Sequence, residues 1–200
     1  MPLNVPILIT WLRILMIPLV IGVFYVPELW LSMWHKNVIA TAMFAAAAVT
    51  DWLDGYLARR LNQTSAFGAF LDPVADKLMI AAALIVLVEL GRVDAVIAVV
   101  IIGREIAVSA MREWMAKIGQ SKSVAVNLLG KIKTISQMIA VPLLLYNEPI
   151  GILKPQRVGT WLIYLAAILT LVSMFHYLKL ALAPRAPGDR RRLDRRGSGP

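Results

Sequence analysis

Apolar residues in this chain come in runs of about twenty, separated by short polar or Pro/Gly-bearing connections, rather than in the narrow stripe of a water-facing amphipathic helix. A helix of about twenty residues rises about 30 Å, the depth of a bilayer's hydrocarbon core. The pattern predicts six transmembrane helices, near 7–26, 37–58, 67–90, 94–115, 124–146 and 159–182. The expected fold is all-α, a polytopic membrane protein with an intramembrane, cytoplasm-facing polar cavity. Residues 1–182 read as the membrane domain and 183–200 as a basic cytoplasmic tail. The first run lacks a basic leading segment and a small-residue cleavage site, and it carries Arg13, so it reads as a span rather than a signal peptide.

Composition agrees: of 200 residues, 59% are hydrophobic, and the mean hydropathy is +0.70. Charge then sets orientation. Connections after spans one, three and five hold Lys36, Arg92, Lys154 and Arg157, whereas the opposite side holds Arg59, Arg60, Arg112, Lys117, Lys122 and the tail arginines. By the positive-inside rule both termini are cytoplasmic. The net charge is +9; the tail contributes six arginines against Asp189 and Asp194, a net +4, which leaves +5 on the membrane body. That tail either lies on anionic headgroups or is a solvated, topology-setting extension or a remnant of expression. With no soluble basic fold beside it, nucleic acid is not an expected partner.

Cysteine is absent and only His35 and His176 are present, so thiolate, Cys-zinc and histidine chemistry are excluded or improbable. Carboxylates remain. Four of the seven aspartates, Asp51, Asp54, Asp72 and Asp76, fall in one hydrophobic hairpin. Counting from the turn at about 1.5 Å per residue puts the two pairs at matching depth on adjacent antiparallel helices. Asp51, Asp54, Gly55 and Ala58 share one stripe, and Gly68, Asp72, Ala75 and Asp76 share another. An intramembrane aspartate costs about 3 kcal/mol on insertion scales, so four together need a cation. An all-oxygen set favours a hard divalent ion, and two ions, Mg²⁺ or Mn²⁺, would balance four carboxylates and clamp a phosphorus centre. The plainer reading pairs the acids with Arg59, Arg60 and Lys77 for stability alone, Lys77 itself being structural.

Written out, the hairpin is Asp51-x2-Asp54-Gly55-x2-Ala58-Arg59-x8-Gly68-x3-Asp72-x3-Asp76, which resembles the full signature of the CDP-alcohol phosphotransferase family. Eight fixed positions coincide by chance on the order of once in 10¹⁰ starts. The segments NVPILITWLR, FLDPVADK, REIAVSAMREWMA and VAVNLLGKIKT extend the resemblance to the bacterial branch of that family that makes phosphatidylglycerophosphate, over most of residues 4–180. The resemblance implies a six-helix homodimer of the bacterial inner membrane. It would transfer a phosphatidyl group from CDP-diacylglycerol to sn-glycerol 3-phosphate, with release of CMP. It further implies that Asp51, Asp54, Asp72 and Asp76 ligate two metals, with Asp76 the general base. Gly55, Ala58, Arg59 and Gly68 would line the cytidine diphosphate site, and Thr10 and Arg13 would carry any role of span one.

The signature does not choose the acceptor, so cationic residues elsewhere must. A phosphorylated alcohol needs fixed positive charge, for which Arg104, Arg112, Lys131, Lys133 and Thr134 are the candidates, Lys131 and Arg104 first. Lys133, about 200° from Lys131 on a regular helix, joins that face only if the helix loosens near Gly130, and otherwise serves a neighbouring lipid phosphate. Glu105 is expected to neutralise Arg104, and Arg112 either captures substrate or pairs with Glu113 at the surface. Two alternatives stay open at this point: the same chemistry with inositol phosphate, serine or phosphatidylglycerol as acceptor, and a divalent-cation transporter built on the same acids.

Overall fold

The computed structural model describes residues 5–60, 66–117 and 128–182. They form six helices: α1 (Val5–Tyr25), α2 (Met33–Arg60), α3 (Ala66–Glu89), α4 (Ala95–Lys117), α5 (Leu128–Tyr146) and α6 (Pro155–Leu182). No strand accompanies them among the described residues; a lone bridge joins Ile150 to Leu153 around Gly151, whose φ is +59°. Residues 183–200, read above as a tail, lie outside the described residues, as do 118–127 before α5.

Two helices start a turn earlier than the hydropathy pattern predicts, and capping explains both. Ser32 precedes α2 and its carbonyl accepts the Lys36 amide at 3.1 Å, so His35 and Lys36 are helical although polar. Pro155 opens α6, where its missing N–H costs nothing, and the Lys154 carbonyl receives the amides of Arg157 and Val158. Asp94 stands before α4, an acid at the positive end of a helix dipole. At the other end of α3, Gly91 with φ +67° allows Arg92 N–H to reach the Leu87 carbonyl (2.8 Å) and Gly91 N–H that of Val88 (3.0 Å). That pair of bonds is a Schellman stop, which wants glycine at its left-handed residue.

The bundle is turned inside out relative to a water-soluble one. On α1 the exposed residues are Leu8, Trp11, Leu12, Leu15 and Leu19, while Thr10, Arg13 and Val20 are buried. On α6, Trp161, Ile168, Val172 and Phe175 face outward, and Ala166, Ala167, Thr170 and Ser173 face inward. Exposed surface richer in large apolar groups than the interior is stable only in an apolar solvent. Ile7–Tyr25 and Pro155–Phe175 are each long and apolar enough to cross a membrane, and the molecule is an all-helical protein of membrane character.

Helix α6 packs on α5, α1 on both α2 and α3, and α4 on α6, around a core that includes Val20, Phe44, Leu84, Leu87, Ile101, Leu144 and Ile163. At the loop end of α1, α3 and α5 a polar clasp joins the helices. Arg92 donates to the carbonyls of Leu144 (3.1 Å) and Leu145 (2.7 Å) in the last turn of α5, and to Asn37 Oδ1 at 2.8 Å. Asn37 Nδ2 donates in turn to Glu148, Lys36 Nζ to the Phe24 carbonyl, and Tyr25 Oη to Glu89. Burial lowers the Arg92 pKa from its ordinary value, and Glu148 opposes that shift. Because the helices alternate in direction, the opposite end of the bundle collects the first halves of α1, α3 and α5 and the second halves of α2, α4 and α6. Most of the candidate site residues lie there.

Close packing of α6 on α5 depends on Gly159: a Cβ there would sit 2.7 Å from Leu144 Cγ and 3.2 Å from the Ala140 carbonyl oxygen. Gly159→Ala is expected to cost about 1–3 kcal/mol and lower the thermal midpoint in detergent. Gly22→Ala, with nothing within 4 Å of the added carbon, is expected to leave the midpoint unchanged or raise it.

Candidate active site

Arg13 is the hub. The first half of α1 carries it into the bundle, where it is 1% exposed, one turn from buried Thr10. Its Nη1 lies 2.6 Å from Asp51 Oδ1 of α2 and donates to Asp72 Oδ1 of α3 at 3.0 Å. Two carboxylates from separate helices thus share one cationic nitrogen. A guanidinium so deep in an apolar bundle is stable only when paired, and the acids offset each other's repulsion through it.

Asp76 follows Asp72 by one turn, and Pro73 between them removes one amide from the α3 hydrogen-bond ladder at that level. Asp76 borders two small cavities, one shared with Arg13, Ala47 and Met138, the other with Lys77, Glu105, Thr134 and Gln137. Gly68, one turn before Asp72, is half-buried on α3. Next to the acids, α4, α5 and α6 contribute a cationic group. Arg104, buried, is hydrogen-bonded to Ser173 of α6, and its Nη1 is 3.7 Å from Glu105 Oε1. Lys133, 2% exposed, is ion-paired with the same Glu105.

The sequence expectations for these residues meet three outcomes. Arg13, Asp51 and Asp72 are brought together, as are Asp76 and Thr134, which line one cavity. Lys133 differs from one expectation: it faces the bundle interior and Glu105 rather than a surrounding lipid. Glu105 is accordingly shared between Lys133 and Arg104 instead of serving Arg104 alone, because a single carboxylate lies between two buried cations. The side chains of Asp54, Gly55, Ala58, Arg59, Arg112 and Lys131 lie outside the described residues. Gln137 and Ser173 escaped the sequence reading. Gln137 was findable, since it stands at i+4 from Lys133 and i+3 from Thr134; Ser173, lone in an apolar run, was not.

Among the described residues no group of three or more His, Cys, Asp or Glu is gathered closely enough to hold a metal ion, and Asp54 is not among them. The donors fit a hard divalent cation nonetheless. Asp51 and Asp72 already converge on one positive centre through oxygen, and carboxylate oxygen is the ligand type that Mg²⁺ and Mn²⁺ prefer.

Acids compensated by a buried arginine thus lie inside a helical bundle of membrane character, beside a second group of buried cations. Residues 3–172 match the CDP-alcohol phosphatidyltransferase family, and the chain belongs to that family. It is similar along nearly its whole length to curated relatives named CDP-diacylglycerol–glycerol-3-phosphate 3-phosphatidyltransferase. The relative from Shigella flexneri serotype 5b (strain 8401) is 46% identical over 185 residues, 92% of this chain and 97% of the relative. Those from Escherichia coli (strain K12) and Salmonella choleraesuis (strain SC-B67) are each 45% identical, over 92% and 90% of this chain and 97% and 96% of the relatives.

Replacing Arg13 leaves Asp51 and Asp72 facing each other with their shared cation gone. Arg13→Met is expected to cost about 1–3 kcal/mol, below the usual figure for a broken buried pair because both acids are partly solvated. Thermal unfolding in detergent with chelator present measures it, and Arg13→Lys should recover part of the loss.

Proposed function

We propose that this chain transfers a phosphatidyl group from CDP-diacylglycerol to sn-glycerol 3-phosphate, giving phosphatidylglycerophosphate and CMP. The observation that carries the proposal is the 45–46% identity to relatives named for this activity, over more than nine-tenths of both chains. Arg13, Asp51, Asp72 and Asp76 at one end of the bundle supply a place for the chemistry. The relatives are bacterial, which supports a bacterial membrane; the inner membrane, six spans, both termini cytoplasmic by the positive-inside count and a homodimer complete the proposal. A cytoplasmic opening suits a water-soluble acceptor and the release of CMP.

The family is generally dependent on divalent metal. Asp51, Asp54, Asp72 and Asp76 would hold two ions, Mg²⁺ or Mn²⁺, which supply charge neutralisation at the diphosphate when bound. Gly55, Ala58 and Gly68 leave room for the nucleotide against the helix backbone, and Arg59 offers a forked donor to phosphate. Arg104, Lys131, Lys133 and Thr134, with Arg112 nearer the surface, hold the acceptor's phosphate. Two buried cations from α4 and α5, Arg104 and Lys133, gathered around Glu105 support this role. Asp76 takes the proton of the acceptor's primary hydroxyl. The hydroxyl oxygen then bonds to the lipid-side phosphorus, the bond from that phosphorus to the bridging oxygen breaks, and CMP departs with the electron pair.

Purified protein supplied with CDP-diacylglycerol, Mg²⁺ and labelled glycerol 3-phosphate is expected to release CMP and label lipid in equal amounts; metal uptake into liposomes without CMP release would refute the proposal. Asp76→Asn is expected to lower kcat by about 10²–10⁴ while CDP-diacylglycerol still binds. Lys131→Ala is expected to raise KM for glycerol 3-phosphate and leave CDP-diacylglycerol affinity unchanged, as read by steady-state kinetics with each substrate varied.

A further inference from the structure

The second cavity beside Asp76 is small, about 50 Å³, and polar groups from three helices line it: Asp76 and Lys77 of α3, Glu105 of α4, Thr134 and Gln137 of α5. Gln137 is 4% exposed, and its Nε2 finds no hydrogen-bond acceptor. A buried amide nitrogen left without an acceptor is rare, because each unmade bond carries the full cost of its desolvation. Such a group beside the proposed base, on a cavity that Ile80 and Met138 also line and that has room for a hydroxyl-bearing carbon, is a donor awaiting a ligand.

We infer that Gln137 is a specificity-determining residue of the acceptor site, donating through Nε2 to the secondary hydroxyl of glycerol 3-phosphate. The inference rests on the activity proposed above and names a further contact of the same site. The choice of hydroxyl follows from chemistry. The primary hydroxyl must give its proton to Asp76 and keep a lone pair free to attack phosphorus, and an N–H donated to that oxygen would weaken it as a nucleophile. The secondary hydroxyl has no such duty and accepts freely. Placement agrees. Gln137 stands one turn beyond Lys133 and Thr134 on α5, so a phosphate near Lys133 and Arg104 leaves the carbinol end of the acceptor about one helical rise, about 5 Å, along toward Gln137 and Asp76. Lacking the secondary hydroxyl, an acceptor leaves the buried amide unpaired, which is the situation in which hydrogen-bonding sites discriminate most strongly.

The test compares kcat/KM for glycerol 3-phosphate and for 3-hydroxypropyl phosphate, which has the same chain without the secondary hydroxyl. Wild-type protein is expected to prefer glycerol 3-phosphate by roughly tenfold to a hundredfold. Gln137→Met, close in volume, is expected to lose that preference through a fall on glycerol 3-phosphate alone, with 3-hydroxypropyl phosphate within about twofold of wild type. Equal losses on both acceptors, or no change on either, would overturn the assignment. Should the variant not fold, wild type decides: equal kcat/KM for the two acceptors overturns the assignment without any substitution. Wild type that transfers to neither acceptor overturns the proposed activity itself, and the assignment falls with it.

Discussion

Charge inside an apolar bundle is the constraint on which the rest of this molecule depends. Arg13 brings a guanidinium to a point where it is almost wholly buried, and Asp51 and Asp72 meet it from two other helices. None of the three is stable there alone. Each acid left unpaired would be driven toward its neutral form, and the arginine, which cannot lose its proton, would draw α1 apart from its neighbours. The contact therefore ties α1 to α2 and α3 and holds two carboxylates close together. The same logic recurs on the other side of Asp76, where Glu105 lies between Arg104 and Lys133 and ties α4 to α5, and Ser173 joins α6 through Arg104.

The two ends of the bundle divide their labour. At one end Arg92, Asn37, Lys36 and Glu148 place their hydrogen bonds on helix termini and on one another. At the other, polar groups point at each other across small cavities and retain unmatched capacity, as Gln137 shows.

The six helices were legible in the length of the apolar runs, and the family in eight fixed positions of one hairpin. What the run length missed were the polar first turns at His35–Lys36 and Gln156–Arg157, where capping rather than hydropathy decides. The carboxylates were legible for a physical reason, since acids are costly in lipid and persist only with a purpose. Their cation was less so. Arg13 could be noticed but not assigned, because sequence spacing relates residues on one helix and says little about which helices touch. Lys133 illustrates the same limit: helical phase alone says nothing of Glu105, which α4 brings to it. Gln137 was passed over because an uncharged amide in a span raises no electrostatic alarm.

The most direct measurement of the central claim, that the hairpin acids form a paired-cation centre for phosphatidyl transfer, is electron paramagnetic resonance of Mn²⁺ added to the purified protein with CDP-diacylglycerol. Two bound ions per chain, with the broadening of neighbouring spins and its loss together with CMP release in Asp72→Asn, is the predicted result. Transfer that proceeds at full rate while every Mn²⁺ stays free in solution would contradict the account.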